Sequence, residues 1–280
     1  MFKILLSLSV SILILYGLSI EVSGDDPNQW PYVEQTFVAG EIQSPINILS
    51  NYSYNASLSS LLYYRYWREE SVEIKIRNNG RALHVHSLRD ETSSITAHIT
   101  GGPLFKKKYT FSHIHIYWGA ENEVGSEHQI DSQGYPIEVQ MIHYKNEYGH
   151  YGNAIMYTDG ICIISYFGNI SDQDNPKMNN FLTAVQSVQI PGYSFISTFD
   201  VHFHWLMDVA QDYCYYAYPG SITSYPFTQC ATWIIYENTF DISQKQLAVF
   251  RTLIGTDGNY LTSINARMMQ PFNNRPLCYV

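Results

Sequence analysis

Residues 109–118 read YTFSHIHIYW, and successive side chains in a strand point to opposite faces. His113, His115 and Tyr117 therefore share one face, while Ile114, Ile116 and Trp118 share the other. The same alternation recurs in VEIKIRNNG (72–80), ALHVHSL (82–88), SSITAHIT (93–100), IEVQMIHY (137–144), GICIISYF (160–167) and CATWIIYE (230–237). Gly, Asn, Asp or Pro bounds most of these runs, which is the signature of strands closed by turns. Helical spacing is credible only in NPKMNNFLTAVQSVQI (175–190) and SQKQLAVFRTLI (243–254), the second capped by Ser243 or Asp241. Many strands, few helices and no internal repeat predict one mixed, mostly antiparallel sheet with a few short helices at its periphery.

The first two dozen residues stand outside that pattern. Lys3 precedes an apolar run from Ile4 to about Leu18, and small residues lead to Gly24, the pattern of a secretory leader over residues 1–24. The expectation is a secreted, extracellular protein of one domain, residues 25–280, with no transmembrane segment once the leader is cleaved. The chain carries 16 Lys+Arg against 25 Asp+Glu, a formal charge of −9. That balance excludes a general nucleic-acid binder, which needs a basic face for the phosphate backbone.

Secretion would make Asn51, Asn55 and Asn169, each in an Asn-x-Ser triplet, surface glycosylation acceptors. It would also favour disulfides among Cys162, Cys214, Cys230 and Cys278, for which three connectivities exist.

The histidine strand raises the question of a metal. Catalytic zinc takes three protein ligands, usually His, Cys or carboxylate, and leaves a position for water. His113 and His115 suit that role, but Tyr117 is neutral at ordinary pH and Gln140 offers only a weak carbonyl oxygen. Downstream, Glu138, Gln140 and Ile142 share one strand face.

QSPINI (43–48), NNG (78–80), GGPL (101–104), YWG (117–119), GSEH (125–128), YPGSIT (218–223), CATW (230–233) and NNRP (273–276) occur in an order that resembles the alpha-class carbonic anhydrases. The resemblance spans roughly residues 28–278 and implies that family's mixed α/β fold, dominated by a large twisted sheet. Carried over by motif, the zinc positions fall on His115, Tyr117 and Gln140, so two of three ligands differ from the family's histidines. Glu127 and Thr223 match the pair that orients zinc hydroxide, and Glu138 matches the carboxylate behind the third ligand. Arg81 follows NNG where many active members have a proton-shuttling histidine, and an arginine stays protonated.

The resemblance also implies a Cys214–Cys278 disulfide tying down the C-terminal tail. It leaves Cys162 and Cys230 as buried thiols or a second bridge. HFH (202–204) falls where the chain is a few residues longer than the family pattern, and is expected in loop or surface structure. His128 and His143 are expected to bond in the core, and Trp118 and Trp233 to pack.

The expected function is therefore a catalytically silent, anhydrase-like binding module without a cofactor, its partner an extracellular protein or matrix component. Three alternatives stand beside it. Zinc or copper could sit at a relocated site made by His84, His86, His113 and His115; the chain could be a structural, storage or mineral-associated protein; or residual anhydrase activity could survive.

Overall fold

The computed structural model describes residues 40–67, 72–88, 96–211, 214–261 and 266–280, which belong to one compact unit. The leader reading falls on residues 1–24, outside the described residues. Fourteen strands are described: β1 (Asn47–Ile48), β2 (Tyr54–Asn55), β3 (Leu61–Tyr64), β4 (Glu73–Asn78), β5 (Leu83–Ser87), β6 (His98–Gly101), β7 (Tyr109–Trp118), β8 (Gln129–Ile130), β9 (Ile137–Lys145), β10 (Ile161–Ser171), β11 (Ser194–Thr198), β12 (Tyr215–Gly220), β13 (Ala231–Ser243) and β14 (Cys278–Tyr279). The α-helices among the described residues are short: α1 (Tyr151–Ala154), α2 (Asn179–Ser187), α3 (Phe199–Phe203), α4 (Met207–Ala210) and α5 (Gln244–Arg251). None is long and apolar enough to cross a membrane.

The main sheet has 12 strands, with the path β11-β4-β5-β7-β9-β10-β13-β12-β14-β2; β6 pairs with β7 and β3 with β6. Most neighbours are antiparallel, while β10–β13 and β14–β2 run parallel. The expected mixed, sheet-dominated fold is the one observed.

Alternation divides the core into two layers. Cys162, Ile164 and Tyr166 of β10 join Ile114, Ile116 and Trp118 of β7 in the larger cluster. Ile161, Ile163 and Phe167 face the other way, with Trp233 and Ile235 of β13, into the second. Both faces of β9 are covered, so all nine of its residues are buried, including Glu138, Gln140 and His143. A buried polar side chain in such a strand must find hydrogen-bond partners or destabilise the fold. That demand shapes the site.

Both predicted helices form. Ser243 Oγ accepts from Gln246 N at 3.1 Å and Gln246 Oε1 accepts from Ser243 N at 3.2 Å, a reciprocal cap that starts α5. Asp241 instead lies within β13. HFH is not a surface loop: it spans α3 and the turn after it, with His202 and Phe203 buried. Phe203 packs against Phe181 and Phe199, and this aromatic contact draws the segment inward.

The Cys214–Cys278 disulfide does not form, and all four cysteines are free thiols. Register explains why. Cys278 stands opposite Ala217, and its thiol lies 3.5 Å from the Ala217 carbonyl. Cys214 is three residues further along, a displacement of about 10 Å along a strand, beyond the span of a disulfide. Cys162 and Cys230 belong to opposite core layers and do not bridge either. Asn51, Asn55 and Asn169 are all exposed.

Candidate functional site

β7 and β9 are antiparallel neighbours, with His115 opposite Gln140 and Tyr117 opposite Glu138. The large core claims the isoleucines and Trp118 of β7, so His113, His115 and Tyr117 face the other layer together with Glu138 and Gln140. The three positions assigned by motif, His115, Tyr117 and Gln140, are thus brought together.

Gln140 is committed elsewhere. Its amide nitrogen donates to Glu127 Oε2 and to Glu138 Oε1, each at 2.9 Å. Glu127 also accepts from the Arg267 backbone N–H at 2.8 Å. Thr223 and Tyr117 complete its hydrogen bonds, and Tyr117 bonds Thr223 as well. The tyrosine hydroxyl is therefore held by the Glu127–Thr223 pair.

Glu138 accepts from the backbone N–H groups of Glu127 (2.8 Å) and His128 (2.9 Å) through Oε2. Its Oε1 accepts from Ser165 Oγ (2.8 Å), His128 Nδ1 (2.9 Å) and Gln140. Both carboxylates are fully enclosed, yet they differ in charge preference. Burial first, and the charge of Glu138 second, push Glu127 up to about 8. Burial also acts against Glu138, but its His128 partner and the ring of donors outweigh that and hold it below the usual carboxylate range. Tyr117 is raised well above its ordinary value by burial and then by Glu127, so it stays a neutral phenol.

The remaining histidines divide by role. His128 bonds Glu138 and, through Nε2, the Tyr218 hydroxyl at 2.7 Å; His143 bonds the Tyr66 hydroxyl at 2.6 Å and the Met141 carbonyl at 3.0 Å. Both are core groups, as expected, and Trp118 and Trp233 are buried in the two layers. Arg81 is half-buried in the turn after Asn79, which accepts its backbone N–H at 2.9 Å.

β5 lies beside β7, with His84 opposite His115 and His86 opposite His113. The four imidazoles border a cavity of about 370 Å³. Even so, no group of three or more His, Cys, Asp or Glu among the described residues is arranged to hold a metal ion. His113 turns Nδ1 toward Ser112 Oγ at 2.9 Å, and His84 turns Nε2 toward Asn79 Nδ2 at 3.0 Å. Those bonds aim the rings at neighbouring side chains rather than at one common point. Burial, and then the other imidazoles, hold His113 well below its ordinary value and His115 at about 3, so both are neutral at pH 7.

The sequence profile of the eukaryotic-type carbonic anhydrases matches residues 25–280. The chain belongs to that family. It is 31% identical to human carbonic anhydrase 7 over 258 residues, covering 90% of this chain and 92% of the relative. Mouse carbonic anhydrase 7 is 30% identical over the same length and coverage.

The zinc that the family implies does not fit this pocket. A metal would need a lone pair from each of three groups, and here one is a neutral phenol and another an amide whose N–H bonds tie down two carboxylates. Sequence reading located the substituted positions but missed the bridge made by Gln140. Two glutamates eleven residues apart, the second two positions before Gln140, are the only signal of it, and it needs the strand pairing to be seen.

Proposed function

We propose that this chain is a carbonic anhydrase-related protein without zinc-hydroxide chemistry, and that it works by binding a ligand in the remodelled cavity. One observation carries this reading: Gln140 donates to both Glu127 and Glu138 and so fills the place where a third metal ligand would stand. Hydration of carbon dioxide at neutral pH depends on a metal lowering the pKa of bound water to about 7. Neither Tyr117 nor Gln140 supplies the coordination that this requires.

The apolar run from Ile4 to about Leu18, read as the centre of a leader over residues 1–24, supports a partner outside the cell, an extracellular protein or matrix component. The cavity supports recognition of a small polar group on such a partner, since imidazoles and hydroxyls line it.

The decisive experiment is elemental analysis of full-length protein purified without added metal or chelator, with stopped-flow carbon dioxide hydration on the same sample. The expected result is no stoichiometric zinc and no rate above buffer. Zinc at one per chain, with turnover that is lost on chelation and regained on zinc addition, would overturn the proposal.

A further inference from the structure

The loop between β6 and β7 passes through positive φ at Gly101 (83°), Gly102 (50°) and Phe105 (54°). That conformation is free to glycine and a steric outlier for a bulky side chain. Backbone bonds fix it nonetheless: Gly101 N–H donates to the Phe105 carbonyl at 2.7 Å, Phe105 N–H to the Gly102 carbonyl at 3.2 Å, and Lys107 N–H to the Leu104 carbonyl at 3.0 Å. Phe227 also has positive φ, but the Arg267 guanidinium lies over its ring, 3.8 Å from the centroid. Phe105 gains no such cover, and it is 69% exposed. A strained backbone thus holds an apolar ring out in water, an arrangement that strain at binding loops explains better than packing does.

Lys106, Lys107 and Lys108 follow the ring directly. Among the described residues Lys106 and Lys108 form no ion pair, and Lys107 has an exposed one with Glu147 at 3.5 Å, a contact of little worth in water. Lys145, at the foot of the loop, is committed to Glu147 and Asp159. Arg65 and Lys108 both act on the His98 ring, on which Tyr64 stacks with centroids 4.5 Å apart. The loop is therefore a basic tip on a chain whose formal charge is −9. Exposed apolar side chains continue from it along β3: Leu62, opposite Thr100 and next to the Gly101 pair, is 50% exposed, and Tyr64 on the same face is 43% exposed.

We propose that this loop docks on an anionic phospholipid surface, with Phe105 entering the boundary between headgroups and acyl chains and Lys106, Lys107 and Lys108 meeting the headgroup phosphates. The inference goes beyond the cavity reading and uses a different part of the molecule. Charge complementarity selects an anionic partner, and the ring beside the charges selects a lipid one. An acidic peptide would pair the lysines and leave the ring in water, whereas a bilayer interface offers an apolar layer directly beneath a charged one. The contact is peripheral and salt-sensitive. Each lysine near such a surface contributes about fivefold in affinity, so the three together contribute about a hundredfold.

The test is co-sedimentation of the full chain with phosphatidylcholine vesicles containing about 30% phosphatidylserine, and with pure phosphatidylcholine vesicles, at about 0.05 M and about 0.5 M salt. The expected result is binding to the mixed vesicles at low salt, its loss at high salt, and none to the neutral vesicles. K106Q, K107Q and K108Q combined should weaken binding about a hundredfold. F105G should weaken it about tenfold or more while leaving the urea midpoint at or above that of the parent, because glycine suits the turn. K245Q, on α5, should change nothing, which separates the tip from net charge. In the native chain, hydrogen exchange over residues 105–108 should slow when mixed vesicles are added. Equal binding to both vesicle types, binding to neither, unchanged binding in the triple lysine variant or in F105G, or capture by polyglutamate without capture by vesicles would each overturn the proposal. None of these outcomes bears on the zinc assay, which reads Tyr117 and Gln140.

Discussion

Gln140 donates an amide N–H to Glu127 across 2.9 Å, and its other contact of the same length reaches Glu138. An imidazole in this place has one N–H to give and one lone pair to spend on a metal, whereas an amide nitrogen has two N–H groups and no lone pair to offer. The substitution therefore changes a ligand position into a structural tie between two buried carboxylates.

Removing that tie should be costly. Gln140→Met keeps the volume and deletes both donors, leaving Glu127 and, in the fully buried β9, Glu138 each one donor short. The expected loss is about 1–3 kcal/mol in urea unfolding at neutral pH. A loss within error of zero would show that the bridge contributes nothing to the fold.

Restoring both ligands should restore the metal. In Tyr117→His with Gln140→His, His115 gains two imidazole partners, and Glu138 remains in place to hold the new ring. Zinc affinity should rise by more than about a hundredfold over the parent, and elemental analysis should find about one zinc per chain after dialysis. Each single variant should stay near the parent, because two ligands are too few.

The pH profile of stability should form a dome. Glu127, held at about 8 against an ordinary 4.5, keeps its proton in the fold while the unfolded carboxyl has lost it, so its contribution declines as pH rises across that window. His115 and His143, held at about 3 against 6.5, act in the opposite sense: unfolded imidazoles take protons that the fold refuses, and stability is lost as pH falls below 6.5. Two imidazoles outweigh one carboxyl on the acid side, and only Glu127 of the three acts above 6.5. Unfolding free energies from urea titration should peak near pH 6.5 and fall toward pH 8 by up to about 1.4 kcal/mol per pH unit. Glu127→Gln should flatten the alkaline limb, and His143→Phe should soften the acid one.

The thiol state is directly countable. Alkylation of denatured, unreduced protein should add four labels by mass, the same number as after reduction. Native protein should label slowly at Cys162 and Cys230, which are buried and whose thiols burial raises, the latter to about 12. A two-label deficit before reduction would reveal a bridge.

The strands themselves were legible because alternation is a local property: His113, His115 and Tyr117 had to share a face whatever the rest of the chain did. The Ser243 cap and the amphipathic run after it were readable for the same reason, since a helix terminus is decided within four residues. The loss of two zinc imidazoles was also plain in the letters at 117 and 140. Partnerships across the sheet were not. Cys278 stands on β14 and Cys214 immediately before its neighbour β12, yet a three-residue offset in register separates them. HFH looked like a loop until Phe203 found Phe181 and Phe199. The commitment of Gln140 to Glu127 and Glu138 depends on how β9 packs beside the GSEH segment, and the crowding of four imidazoles depends on the register of β5 against β7. Composition and period decided which way each side chain points, because a strand allows two directions. Tertiary structure decided what each one meets, because long-range pairing sets distances that no local spacing encodes.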